Sequence, residues 1–172
     1  MGRKNYLVEG GSGTGKTAVC HELRRRGYQA INGDRELAYQ GDPETGEAVS
    51  GITGTAVHSH HLWRVADVRE LAADQGEPVT FFCGGSRNLP SFIDVFDAVF
   101  VLEADAETLR RRLDQRPPDE WGGRRAERQL IERLHQTREE IPPGGISIDA
   151  SAPLPRVVDD ILRHVTEDRG PG

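Results

Sequence analysis

The chain has 172 residues, which is enough for one domain with its own core and too few for two ordinary domains. Hydrophobic residues make up 35% and charged residues 29%, a balance that excludes a disordered chain. The formal net charge of −6 argues against general binding to nucleic acid or to a membrane surface, because both attract a basic face.

The first half of the chain alternates apolar runs with helical patterns. The run Tyr6–Val8 predicts a short strand, and a glycine-rich loop follows it. Residues 16–26 carry apolar side chains at helical spacing, and Gly27 is a typical residue for the end of that helix. Residues 29–32 predict a second strand. A polar stretch with several turn signals then leads to residues 56–75, whose apolar positions predict one further helix.

The second half continues the same alternation. Further strands are predicted at residues 79–83, 98–102 and 146–148. Further helices are predicted from Asp105 onward, at residues 124–141 and at residues 154–166. The segment RPPDEWGG at 116–123 excludes a continuous helix, because it holds prolines and glycines. Strands separated by helices predict a three-layer α/β fold with a five-stranded parallel sheet flanked by helices.

Cysteine usage and the N-terminal sequence bear on the compartment of the protein. Cys20 and Cys83 form neither a disulfide framework nor a zinc pattern, so we expect a reducing, cytoplasmic environment. The apolar run near the start is too short for a signal peptide, and no later run is long enough to span a membrane. We therefore expect a cytoplasmic protein, either a monomer or a homodimer.

The segment EGGSGTGKT at residues 9–17 is the most specific signal in the chain, and it contains one of only two lysines. It matches the phosphate-binding loop pattern in full, between the strand and the helix that this pattern requires. Glycines let backbone N–H groups approach phosphate oxygens, and the helix N-terminus attracts the negative charge. Lys16 would reach the β- and γ-phosphates of ATP, and the Thr17 hydroxyl would hold Mg²⁺. The residues predicted to bind ATP here are Gly10, Gly11, Ser12, Gly13, Thr14, Gly15, Lys16 and Thr17. A flexible Gly/Ser turn with a chance lysine is the alternative.

Four further segments follow the loop in a familiar order. They are the strand end Ile31-Asn32-Gly33-Asp34, the glycine cluster CGGSR at 83–87, the helix segment LRRRLDQR at 109–116, and the loop DASAP at 149–153. With the phosphate loop, this order resembles the nucleoside monophosphate kinase and shikimate kinase group of small P-loop kinases. The resemblance covers nearly the whole chain and implies a single kinase domain over residues 1–172. Where that group has an Asp-x-Asp or similar acidic motif, this chain keeps only Asp34.

The resemblance implies an acceptor-binding region at about residues 33–75. Asp34 follows a strand that neighbours the phosphate loop, where open α/β sheets build their sites. It could orient or deprotonate the acceptor hydroxyl, or hold the water shell of Mg²⁺; a turn-forming aspartate is the alternative. The other residues assigned to the acceptor are Trp63, Gly84, Gly85, Arg87 and Arg125. Trp63 could instead belong to the core, and Arg87 could be a surface charge.

A second implied feature is a lid at about residues 116–125. Arg116 and one of Arg124 or Arg125 would close over the phosphates and exclude water. We assign Arg116 to catalysis beside Lys16 and Asp34, and Arg124 to the nucleotide. Solvated helix faces are the alternative for these arginines. Finally, the resemblance places Ala152 and Pro153 in the loop that packs on adenine.

Three histidines, His58, His60 and His61, lie close together next to Trp63. A metal site is possible, but no cysteine or clear carboxylate completes a ligand set. A surface at a helix end, near the acceptor pocket, is the favoured interpretation.

Together these features predict ATP- and Mg²⁺-dependent phosphoryl transfer to a small molecule, with a nucleoside or nucleotide as the first candidate acceptor. A shikimate-like or antibiotic hydroxyl acceptor, or a nucleotide-binding accessory protein without turnover, are the alternatives. A GTPase switch would need an Asn-Lys-x-Asp segment, which is absent. An AAA-type motor would need an acidic residue after the strand that ends at Cys83, and an additional helical domain. A polynucleotide kinase is disfavoured by the acidic balance.

Overall fold

A computed structural model of the chain describes residues 4–74 and 76–168. The strands are β1 (Lys4–Gly10), β2 (Gln29–Asn32), β3 (Ala38–Gln40), β4 (His61–Trp63), β5 (Val79–Cys83), β6 (Ala98–Glu103) and β7 (Ile146–Asp149). The helices are α1 (Lys16–Arg25), α2 (Gly33–Glu36), α3 (Ala56–Ser59), α4 (Val65–Ala73), α5 (Ala106–Asp114), α6 (Arg125–Thr137) and α7 (Leu154–Asp168). Two 3₁₀ turns, Leu89–Ser91 and Ile93–Val95, lie between β5 and β6.

The main sheet has five strands in the order β2-β5-β1-β6-β7, and every neighbouring pair is parallel. In this register Val8 pairs with Cys83 and Gly10 pairs with Leu102, so the carboxyl ends of the central strands lie side by side. Ligands of open parallel sheets bind at this edge. The α/β fold with a five-stranded parallel sheet, predicted from the sequence, is confirmed.

Two apolar layers cover the two faces of the sheet. Side chains alternate along β1, so Tyr6 and Val8 face one layer while Leu7 faces the other. The first layer packs against the buried faces of α1 and α7, and the second against α4 and the 3₁₀ turns. Burial on both faces explains why these strands are continuous apolar runs, and it gives the three-layer arrangement that the sequence predicts.

The prediction of a single helix at residues 56–75 is wrong. The segment forms the short helix α3, the strand β4 and the helix α4, and β4 pairs antiparallel with β3. Leu62 and Trp63 are buried in the core, and the backbone N–H of Arg64 donates to the carbonyl of Leu37 at 2.9 Å. Pairing with a strand distant in sequence has therefore overridden the helical spacing, which local pattern alone could not reveal.

The remaining predicted elements agree with the structure within a few residues. Asp105 caps α5, since its side chain accepts a 2.7 Å hydrogen bond from the N–H of Thr108. Gly27 follows α1 with a φ of 91°, a left-handed conformation that suits glycine at a helix end. The helix predicted at 124–141 ends earlier, at Thr137, because Arg138 turns left-handed with a φ of 55°. Among the described residues, no helix is long and apolar enough to cross a membrane.

Candidate active site at the carboxyl edge of the sheet

The phosphate loop joins the end of β1 to the start of α1. Gly13 has a φ of 87°, and a Cβ atom there would lie 2.6 Å from Leu109 Cδ1, so a side chain is excluded on two grounds. The Thr14 hydroxyl donates to the carbonyl of Gly11 at 2.7 Å and closes the loop on itself. The loop therefore presents its backbone as a formed concave surface at the helix N-terminus, which suits a phosphate group.

Lys16 and Thr17 open α1 and border the same concave surface. Lys16 Nζ donates to the carbonyl of Gly10 at 2.5 Å, so its ammonium group lies across the mouth of the loop. Thr17 is exposed and borders the cavity. The N–H groups in the first turn of a helix have no partner within that helix, which leaves them available to an anion.

A cavity of about 600 Å³ runs along this edge of the sheet. The predicted site residues that border it are Gly10, Gly11, Ser12, Thr14, Lys16, Thr17, Asp34, Gly85, Arg87 and Arg116. The predicted site residues that do not border it are Gly13, Gly15, Trp63, Gly84, Arg124, Arg125, Ala152 and Pro153. The structure thus places the phosphate loop, the aspartate after β2 and the segment after β5 around one space.

Asp34 lies at the start of α2, directly beyond the end of β2. Its Oδ1 atom lies 2.9 Å from His61 Nε2 and accepts hydrogen bonds from Trp63 Nε1 and from the N–H of Gly85, both at 3.3 Å. Burial raises the pKa of this carboxyl, but the bond with His61, the charge of Lys16 and the Gly85 N–H lower it by more. The net pKa is therefore below the usual value, and Asp34 is ionised at neutral pH.

Trp63 and Gly84 lie next to Asp34 but do not border the cavity. Trp63 is 1% exposed, and its ring stacks on Phe92 with 5.7 Å between centroids. Gly84 has a φ of 142°, and a Cβ atom there would lie 2.7 Å from Asp34 Oδ1. The core position of Trp63 agrees with the alternative considered from the sequence. Its indole N–H holds the carboxylate that faces the cavity.

Glu9 is a cavity residue that the sequence analysis did not assign. It is 6% exposed, and its Oε1 atom accepts a 2.9 Å hydrogen bond from the N–H of Gly10. Burial raises the pKa of Glu9 above its usual value, against the lowering effect of the Lys16 charge and the Gly10 N–H. A signal was present in the sequence, because an acidic residue at the end of a buried strand needs an explanation.

Arg112 and Arg116 hold the phosphate loop from the side of α5. Arg116 Nη1 donates to Ser12 Oγ at 2.9 Å and to the carbonyl of Trp121 at 3.0 Å. Arg112 donates to the carbonyls of Gly13 and Thr14, at 3.2 and 3.1 Å, and to that of Ala150 at 2.6 Å. Arg112 was not singled out from the sequence, although it lies in the last turn of α5, four residues before Arg116, which follows the helix.

The other predicted nucleotide contacts lie elsewhere in the structure. Arg124 and Arg125 are exposed at the start of α6. Ala152 packs against the core layer beneath α7, and Pro153 is exposed. Part of the cavity border is instead formed by apolar side chains of β6, α5 and α6, among them Leu102, Leu109, Ile131 and Leu134. An apolar wall of this kind suits a flat aromatic ring.

The three histidines contact different partners. His61 contacts Asp34, while His60 Nδ1 lies 2.8 Å from the carbonyl of Ala56. His58 Nε2 lies 2.6 Å from Glu140 Oε2, and its ring stacks on Trp121 with 5.9 Å between centroids. Within residues 4–74 and 76–168, no group of three or more His, Cys, Asp or Glu side chains is arranged to hold a metal ion.

Glu140 also pairs with Arg87. Their Oε2 and Nη1 atoms lie 2.5 Å apart, so one carboxylate oxygen joins Arg87 to His58. Burial raises the pKa of Glu140, but the bond with His58 and the charge of Arg87 outweigh it and hold this pKa below its usual value. The guanidinium predicted to contact an acceptor anion is therefore already paired.

Comparisons with known proteins agree with this architecture. A family model described as AAA domain matches residues 7–140. A shikimate kinase from Acinetobacter baumannii superposes with a TM-score of 0.64 at 16% identity, over 98% of this chain and 96% of that one. A sugar kinase from Janibacter sp. HTCC2649 gives a TM-score of 0.57 at 20% identity, over 95% of both chains. A gluconokinase from Sinorhizobium meliloti 1021 gives 0.55 at 21% identity, over 95% of this chain and 92% of that one.

No curated protein matches the sequence. That the chain does not act as an AAA-type motor stays a prediction. The likeness to the small P-loop kinases, expected from the order of motifs, is confirmed at the level of the fold. Because the family model spans most of the sequence, the chain belongs to the AAA domain family, with the P-loop fold of these small kinases.

Proposed function

We propose that the chain is a kinase that transfers the γ-phosphoryl group of ATP to a hydroxyl group of a small molecule. The observation that carries this proposal is the position of Asp34. Its ionised carboxylate borders the same cavity as Lys16 and the phosphate loop. A phosphate site beside a positioned carboxylate is what in-line transfer to a hydroxyl requires.

The proposed reaction uses this chain's residues in separate roles. The loop amides and Lys16 bind the β- and γ-phosphates, and Lys16 exchanges the Gly10 carbonyl for phosphate oxygens. Asp34 orients the acceptor hydroxyl and takes its proton. The acceptor oxygen then bonds to the γ-phosphorus while the bond from that phosphorus to the β-γ bridging oxygen breaks, releasing ADP. Arg116, held over Ser12, neutralises charge on the transferring group.

The donor set fits Mg²⁺ near the phosphates. Thr17 offers a hydroxyl and Asp34 a carboxylate, both oxygen donors bordering the cavity, and Mg²⁺ in such sites takes one or two protein ligands. In the described part of the chain, the hydrogen bonds to Asp34 all go to Oδ1, which leaves Oδ2 for a ligand or for the acceptor. When bound, the ion would neutralise charge shared between β- and γ-oxygens.

Two regions complete the proposed site. Residues at about 33–75 form the acceptor-binding region, together with Gly85 and Arg87 after β5. Residues at about 116–125 form a lid. The lid already contacts the acceptor region, since Trp121 Nε1 donates to the carbonyl of Gly54 at 2.9 Å. The adenine ring would lie against the apolar wall between β6, α5 and α6.

We further propose a nucleoside or nucleotide as the first acceptor to test, and a cytoplasmic location. The location rests on the two cysteines, Cys20 and Cys83, which are both free and buried. Formation of ADP should be measured with ATP and Mg²⁺ against nucleosides, nucleotides and sugar-like alcohols, with the phosphorylated product identified by mass. Acceptor-dependent ADP formation would support a kinase. Tight ATP binding without any product would indicate an accessory protein instead.

A further inference from the structure

Glu140 lies where an anionic acceptor would otherwise meet a basic residue. It belongs to the segment after α6, yet its carboxylate reaches Arg87 in the segment after β5 and His58 in α3. About a third of the Glu140 side chain is exposed (32%), while Arg87 is 19% exposed. This ion pair is partly shielded from water and is therefore screened less than a surface pair.

Arg87 is the partly buried cation at this part of the cavity. We define the acceptor end of the cavity by Asp34, Arg35, His61, Gly85, Arg87 and Glu140, which all border it. Arg35 is exposed to solvent, so its charge is screened by water. The shielded charge of Arg87, in contrast, is neutralised by Glu140, and the ionised carboxylate of Asp34 remains. Lys16 is committed to the phosphates in the proposed reaction. Carboxylates attract hydroxyl or ammonium donors and repel a second anion.

We propose that Glu140 determines acceptor specificity: by neutralising Arg87, it selects an uncharged or cationic hydroxyl compound and rejects acceptors that carry a carboxylate or phosphate. This inference rests on the proposed kinase function. It narrows the candidate acceptors to nucleosides, polyols and amino-alcohols, and it excludes nucleotides and sugar acids. Specificity of this kind comes from a repulsive element built into the pocket.

The geometry around Arg87 makes the proposal directly testable. Arg87 Nε is buried and has no hydrogen-bond partner among the described residues. In the described part of the chain, Glu140 is the carboxylate that pairs with Arg87, so Glu140→Gln would leave the Nη1 end of this guanidinium available to an anion. An anion site should appear in Glu140→Gln without any change at the phosphate loop.

The first experiment measures sulfate binding by calorimetry, with the phosphate loop saturated by ADP and Mg²⁺ at constant ionic strength. Glu140→Gln should bind sulfate about tenfold or more tightly than the wild type. The double variant Glu140→Gln/Arg87→Gln should lose that gain, which would assign it to Arg87. Equal sulfate affinity in the wild type and Glu140→Gln would overturn the proposal. The double variant allows this comparison even if ADP does not bind, so the result does not depend on kinase activity.

The second experiment compares neutral and anionic acceptors that keep the same terminal hydroxyl, a hexose and its aldonic acid. The ratio of kcat/KM for the neutral and the anionic member should fall by about tenfold or more in Glu140→Gln. Glu139→Gln is the control, because Glu139 is exposed and has no ion pair in the part of the chain that the structure describes. A wild type that prefers the anionic member would contradict the proposal and leave the kinase function intact. Absence of turnover with every acceptor would contradict the kinase function, while the sulfate comparison still decides the role of Glu140.

Discussion

At the scale of single residues, the pKa values of two carboxyl groups in one cavity, Asp34 and Glu9, are shifted in opposite directions. The Asp34 carboxylate is held by the bond with His61, by the charge of Lys16 and by the Gly85 N–H, and its net pKa is lowered although burial opposes this. Glu9 is buried more deeply with fewer compensating partners, and its pKa is raised. These opposite shifts favour the charged form of Asp34, which suits an orienting role, and the protonated form of Glu9.

Asp34→Asn should separate catalysis from binding. The amide keeps the shape and some hydrogen bonds, but it removes the negative charge and the proton-accepting role. ATP affinity should stay near normal, because Lys16, Thr17 and the loop amides are unchanged. Turnover should fall by roughly 10²–10⁴-fold, the usual scale for losing a positioned acid–base group. Calorimetry with a non-hydrolysable ATP analogue and steady-state rates measure both effects.

The matched control for that experiment is Asp67→Asn, on α4. Asp67 carries the same carboxyl group but does not border the cavity. Asp67→Asn should therefore turn over normally. Normal turnover in Asp34→Asn with a loss in Asp67→Asn would reverse the assignment.

Glu9→Gln should change how stability depends on pH. A carboxyl whose pKa is raised by folding binds its proton more tightly in the folded state, so it favours folding below the unfolded pKa. That contribution is lost as the pH rises through the folded pKa. Glutamine has no charge to desolvate, so the variant should gain stability relative to the wild type as the pH rises. Urea unfolding between about pH 4 and pH 8 measures this difference. A constant difference at every pH would mean that folding leaves the pKa of Glu9 unchanged.

At the scale of elements, short pieces from distant parts of the chain hold the site together. The β3–β4 pair brings His61 and Trp63 to Asp34. Arg112 at the end of α5 and Arg116 just after it contact the phosphate loop. The proposed lid is tied to both, because Trp121 stacks on His58 while its carbonyl accepts from Arg116. A change at the phosphate loop is therefore expected to reach the lid through Arg116.

Trp121 should report this movement by its fluorescence. Saturating ATP with Mg²⁺ should change its emission, because phosphates near Ser12 compete for the Arg116 guanidinium that contacts the Trp121 carbonyl. Trp63 also fluoresces, so its emission must be separated from that of Trp121. Removing it by Trp63→Phe would disturb the protein, since Trp63 fills the core and its indole N–H donates to Asp34. The signal is instead obtained by subtracting the spectra of Trp121→Phe. If the wild type and Trp121→Phe respond alike, the segment at 116–125 is only a connector.

At the scale of the whole molecule, the proposed active-site residues lie at one edge of the sheet, while the apolar layers that stabilise the fold cover its two faces. The apolar layers on both faces involve most of the buried side chains, and the cavity lies beyond the carboxyl ends of the strands. Residues of the phosphate loop can therefore be changed with little effect on the core. Ligand binding at this edge should in turn stabilise the entire domain, since the unfolded chain has no phosphate site.

Lys16→Ala tests this separation. The variant should still fold and should melt close to the temperature of the wild type without ligand, because Lys16 contacts a loop carbonyl and not the core, and it loses only the charge that favours ionised Asp34 and Glu9. ATP with Mg²⁺ should raise the melting temperature of the wild type by several degrees, as binding at about 100 times Kd contributes about 2.7 kcal/mol. The shift should shrink in Lys16→Ala, and turnover should fall by about 10²-fold or more. An unchanged rate with a confirmed acceptor would contradict the kinase assignment.

Most of the fold, and the phosphate site within it, could be predicted from the sequence. Parallel strands buried on both faces are continuous apolar runs, and the phosphate loop is a contiguous motif whose glycines act locally. Both signals are contained in a few neighbouring residues. The helix cap at Asp105 and the turn at Gly27 were recognisable for the same reason.

Only the tertiary structure decided how distant residues meet. The hairpin at 38–40 and 61–63 depends on pairing between strands about twenty residues apart, which local spacing does not encode. Trp63 proved to be a core residue because Phe92 covers it, and Arg87 is neutralised because Glu140 folds back onto it from beyond α6. The sequence by itself determined where a phosphate site is predicted, at the start of α1. Which charges surround the acceptor was decided by packing, because burial and ion pairing are properties of neighbours in space and not in sequence.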